Sequence, residues 1–175
     1  MNTFILLWVT SFIETGEVSS DQEAKTIIQL INVIGVVMLM VFFKPIGYLA
    51  DNLPAYVSIP ASFLLRGVGV LMFLQLSTPN SWQAYMVSSI VYVGSFIENT
   101  AVDGLFNKNM PKDIRATLNS GYSFFGNFGV LAFTIIGGLL YNSVGPKAPF
   151  LVVALCDFAY AGFIILLYLL GKFTV

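Results

Sequence analysis

Long apolar runs, broken by short polar or Pro/Gly-containing segments, organise the whole chain. They predict helices near 3–15, 21–50, 55–76, 81–106, 114–141 and 148–172. Stretches such as 27–43 and 150–173 approach or exceed the roughly 20 residues that a helix needs to cross a bilayer. The first run is shorter: at about 1.5 Å per residue it falls short of a ~30 Å hydrocarbon core, as a chain beginning inside a helix would. It lacks the basic flank and small-residue cleavage site of a signal peptide, so it reads as a helix. Ahead of the second run, Ser20 and Glu23 stand at capping-box spacing, which puts that helix entrance in water. Connections of about 4–12 residues leave no room for a soluble domain. The pattern predicts an all-α polytopic membrane bundle of about six transmembrane helices, one unit over residues 1–175.

Composition agrees. Of 175 residues, 57% are hydrophobic and 10% charged, against roughly 45–50% and 25% in a soluble domain. Such a chain could not hide its apolar surface from water. Lys44, Lys108, Lys112, Arg115 and Lys172 fall on one side of the predicted bundle, and only Lys25 and Lys147 on the other. The first side is expected to be cytoplasmic, or the matrix or stromal equivalent, with both termini on it.

Net charge of −1, with the eight Lys and Arg dispersed, offers no stripe for a nucleic-acid backbone. One cysteine, Cys156, excludes an internal disulfide, and the absence of histidine argues against a metal site. There is no credible nucleophile with its base and no phosphate-binding glycine loop, so neither an enzyme nor a bound cofactor is expected.

Between the second and third helices the chain reads Gly47-Tyr48-Leu49-Ala50-Asp51-Asn52-Leu53-Pro54. Further on come Pro111-Lys112-Asp113-Ile114-Arg115, then Asn119, Gly121, Gly126, Gly129, Gly137-Gly138 and Gly145-Pro146-Lys147-Ala148-Pro149-Phe150. Together these resemble the carboxy-terminal half of a major facilitator superfamily transporter. The first stretch is similar to the family's Gly-x-Leu-Ala-Asp loop, with Asn52 and Pro54 in place of its basic residues, as suits the loop between helices eight and nine. The second is similar to its tenth loop and eleventh helix. The resemblance implies that the six segments are helices seven to twelve, and that Gly47, Asp51 and Arg115 belong to a gating contact. Gly121, Gly126, Gly129, Gly137 and Gly138 are expected to let helices approach closely in lipid.

Four ionisable residues fall within the predicted spans: Arg66, Glu98, Asp103 and Asp157. Each costs roughly 2.5–3.5 kcal/mol near a helix centre, so each is expected to face protein or water. Arg66 and Glu98 lie at comparable depths on adjacent antiparallel helices. Two readings stay open: a structural bridge between them, or a Glu98 that faces a cavity and binds a cation or proton. Asp103 is expected to be a solvated helix-end carboxylate, or else a gate contact to Arg115 or Lys44. Asp157 is expected to have a buried partner or to touch another subunit. Gln29, Asn32 and Asn127 are candidates for a polar cavity lining, with interhelical hydrogen bonding as the plainer alternative.

The resemblance implies a secondary transporter domain that meets a complementary six-helix bundle and moves an unspecified small solute by alternating access. The alternative is a half-length relative that no longer transports and serves as a structural subunit of a larger membrane complex. A third possibility is a fragment of a longer transporter.

Overall fold

The computed structural model describes residues 2–14 and 16–172, with the backbone alone at residues 2–4, 14, 50, 51, 109 and 112. The described residues form six α-helices and a short 3-10 turn, Lys112–Ile114. The helices are α1 (Asn2–Glu14), α2 (Asp21–Asn52), α3 (Ala55–Phe73), α4 (Trp82–Asn109), α5 (Arg115–Ser143) and α6 (Ala148–Leu169).

Local chemistry sets the helix ends. The Ser20 side chain accepts from the Glu23 N–H at the start of α2. The Glu23 carboxylate accepts in return from the Ser19 N–H at 2.8 Å. The predicted box therefore closes one residue upstream of its usual partner. Ser81 caps α4 by accepting from the Ala84 N–H. Between α5 and α6, Gly145 takes φ +132°, a conformation that favours glycine, and Pro149 occupies the first turn of α6. At the same end, Lys147 Nζ donates to the Leu74 and Leu76 carbonyls at 2.7 and 3.2 Å, just past α3. Those carbonyls follow a helix end that has no further turn to satisfy it.

α3 is the hub: it packs most extensively against α4 and α6, and α4 packs in turn against α2. The buried side chains fall into two clusters. One gathers Trp8, Ile27, Val70, Phe73, Val91 and Phe150, among others, where α1 is held by edge-to-face contact of Trp8 with Phe73. The other holds Ile59, Phe63, Ala101, Ala161 and Ile164 at the opposite end of α3, α4 and α6. α5 touches α6 lightly and presents most of its length outward.

Four helices, α2, α3, α5 and α6, are long and apolar enough to cross a membrane. The six helices among the described residues fit the expected polytopic bundle, and α1 and α4 differ from these four for separate reasons. α1 has 13 residues, about 20 Å of helix. α4 has 28 residues but carries polar groups, and the packing accounts for them. Ser88 and Ser89 are buried and donate to the Ala84 and Tyr85 carbonyls of their own helix, at 2.7 and 2.8 Å. A helix enclosed by protein need not be as apolar as one facing lipid.

Candidate functional site

Between the two apolar clusters lies a charged one. On α3, Arg66 sits between Phe63 and Val70; on α4, Glu98 between Val91 and Ala101; on α6, Asp157 between Ala154 and Ala161. All three therefore lie deep along their helices. Asp157 takes the guanidinium in a fork, accepting from Arg66 Nε at 2.9 Å and from the neighbouring NH2 group. Glu98 accepts from Arg66 NH1 through one oxygen, Oε2. The Phe63 ring lies 5.3 Å from the Arg66 guanidinium carbon. Side-chain exposure falls from 20% at Arg66 and 14% at Glu98 to 3% at Asp157.

Two glycines make this approach possible. A Cβ on Gly94 would stand 3.0 Å from the Arg66 backbone nitrogen, and one on Gly67 would stand 3.2 Å from the Asp157 Cβ. The α3–α4 and α3–α6 contacts are thus tight beside the ions. With one cation and two carboxylates, the ionised cluster carries a net charge of −1 in surroundings where an unbalanced charge is costly.

The cluster opens onto a cavity of about 910 Å³ between α3, α4, α5 and α6. Phe63, Tyr122, Phe133, Phe150 and Tyr160 supply much of its wall, with Ser95, Asn99 and Thr134 as scattered polar groups. That volume lies within the range of sites for drug-sized molecules.

A family model described as Major Facilitator Superfamily matches residues 2–173. The chain belongs to the major facilitator superfamily. It is therefore an integral, multi-pass membrane protein of a transporter-type family. It is also similar to the magnetosome protein MamH of Paramagnetospirillum magneticum, at 22% identity over 147 residues, covering 84% of this chain and 34% of that protein. The chain thus spans about a third of that relative's length. No solved structure matches it.

Within this superfamily chain, Arg66, Glu98 and Asp157 are brought together, and the partner of Asp157 lies in the same chain. Asp103 is not joined to Arg115 or Lys44; it accepts from the Tyr122 hydroxyl at 3.3 Å, while Arg115 donates to Asn107 at 3.1 Å. Arg115, the first residue of α5, stands beside Asn107 near the end of α4, whereas Tyr122, further along α5, stands level with Asp103. Gly47 lies inside α2, which runs on to Asn52, and nothing from outside its own stretch of helix stands within 4 Å of where its Cβ would be. The Asp51 side chain lies outside what the structure describes.

Gln29, Asn32 and Asn127 do not line the cavity. Gln29 and Asn127 are exposed on α2 and α5, and Asn32 accepts from the Tyr92 hydroxyl. Of the glycines expected to pack helices, Gly137 is buried. Gly121, Gly126, Gly129 and Gly138 have nothing within 4 Å of an added Cβ, because α5 stands away from the rest of the bundle along that face. The close approaches are made by Gly35, Gly67, Gly69 and Gly94 instead. Isolated glycines within helical runs could have marked them in the sequence, since each one weakens its helix and suggests a packing reason.

Proposed function

We propose that the chain is the carboxy-terminal six-helix half, helices seven to twelve, of a secondary transporter, working with a complementary six-helix bundle by alternating access. The observation that carries this reading is a deep ion cluster lining a cavity of about 910 Å³ in a superfamily bundle. Ionisable groups at such depth in a membrane bundle mark solute or ion pathways. A bundle of this kind meets its second half around a midplane site. Gly47, Asp51 and Arg115 would serve the gating loop, and both chain termini would face the cytoplasmic, matrix or stromal side, where the Lys and Arg of the short loops gather.

The test is the intact mass of the protein extracted from its native membrane in mild detergent, followed by flux measurements after reconstitution. A second six-helix bundle is expected, in the same polypeptide or in a stoichiometric partner. A 19.2 kDa chain held among subunits that include no such bundle, with no flux, would overturn the proposal and favour a structural subunit.

A further inference from the structure

We propose that the cavity between α3, α4, α5 and α6 receives a hydrophobic, monovalent organic cation whose charge is met by Glu98. The identity of this solute class rests on the transporter reading; the binding site itself does not.

The argument starts from the coordination around Arg66. Asp157 uses both oxygens on the guanidinium and is almost wholly enclosed. Both of its oxygens already accept from Arg66. Glu98 uses one oxygen on Arg66 and is the more exposed of the two carboxylates. With both carboxylates ionised the cluster is short by one positive charge, and Glu98 is the member with an oxygen not engaged by Arg66.

The charge deficit selects the ligand class. A monovalent cation brings the cluster to neutrality, and a dication leaves it at +1. An anion would enter a cluster whose single guanidinium already faces two carboxylates, and like charge disfavours it. A sugar-like neutral solute needs many hydrogen-bond partners, and the wall offers few. The aromatic side chains Phe63, Tyr122, Phe133 and Tyr160 in the wall suit the body of an organic cation through burial and aromatic contact. A cavity of about 910 Å³ is larger than a bare metal ion requires.

Matched probes of near-equal size and opposite charge isolate the electrostatic term: tetraphenylphosphonium against tetraphenylborate. Binding would be measured by equilibrium dialysis on the complete purified protein in nanodiscs, with empty nanodiscs subtracted. Tetraphenylphosphonium should bind saturably, at least tenfold more tightly than tetraphenylborate. Glu98→Gln should remove at least tenfold of the cation's affinity without weakening the anion's, and Glu98→Asp should restore part of it. Equal binding of the two probes, or an unchanged affinity in Glu98→Gln, would overturn the site. The wild-type comparison needs no variant to fold. The two proposals fail separately: saturable cation binding without flux leaves the site standing and removes transport. Flux of another solute that tetraphenylphosphonium does not inhibit leaves transport standing and removes the site.

Discussion

Gly94 lies against the backbone of Arg66, closely enough that a Cβ there would come within 3.0 Å of the Arg66 nitrogen and 3.1 Å of its Cα. The neighbours at that point are backbone atoms of another helix, so no side-chain rotation can relieve the contact. The spacing of α3 and α4, and with it the reach of the Arg66 guanidinium to Glu98, depends on an absent methyl group.

Gly94→Ala should therefore lower stability by about 1–3 kcal/mol, the usual cost of overpacking a tight contact. Thermal unfolding in detergent, followed by intrinsic fluorescence, would read it. A melting temperature equal to wild type would mean that the two helices part easily.

Gly126→Ala should do the reverse. Its Cβ would meet nothing within 4 Å, so the alanine should gain up to about 1 kcal/mol of helix propensity in the isolated chain. If a second six-helix bundle covers this face of α5, the same change should weaken the assembled complex while leaving the isolated chain unharmed. Native mass spectrometry of wild type and variant distinguishes the two.

Arg66→Leu leaves two carboxylates facing each other's charge and should cost about 3–5 kcal/mol. Asp157→Asn should recover more of that loss than Glu98→Gln, because Asp157 is the more deeply enclosed carboxylate. Double-mutant cycles should show coupling of about 0.5–3 kcal/mol for each pair. Strictly additive losses would mean that the three residues act independently.

Cys156, the single cysteine, is exposed and lines the cavity beside Asp157. A cationic methanethiosulfonate should modify it several-fold faster than an anionic one of similar size, because the neighbouring cluster is negative. Glu98→Gln should bring the two rates together. Stopped-flow labelling read by mass spectrometry gives the ratio, and equal rates in the wild type would contradict a negative cavity.

Lys147→Met should cost about 1 kcal/mol by removing the donor to the Leu74 and Leu76 carbonyls. Hydrogen exchange should report the loss at the end of α3 and in the turn that follows, and not in α5. Uniform loss of protection across the bundle would point to a different role for this lysine.

The fold class was legible because apolar run length responds to the bilayer itself. Helix ends were legible where a cap or turn residue acts locally, as at Ser20 and Gly145. The rest depended on which face each helix turns inward. Equal depth suggested Arg66 with Glu98, but only the packing of α6 on α3 brings Asp157 to the same guanidinium. Glycine clustering in α5 suggested close packing there, whereas single glycines in α2, α3 and α4 make the tight contacts. Clustering in sequence reports a permissive surface, and only a neighbour makes the surface a contact.

The polarity of α4 also has a bearing on how the protein is made. A helix that does not meet the hydropathy of its neighbours enters a membrane poorly alone. During synthesis α3 emerges before it, so Arg66 is already present when Glu98 arrives, and a neutral pair can enter the lipid together. Asp157 comes last, after α5. Before α6 is synthesised, α3 and α4 can offer only the balanced Arg66–Glu98 pair; α6 then brings the second carboxylate and with it the negative charge of the ionised cluster.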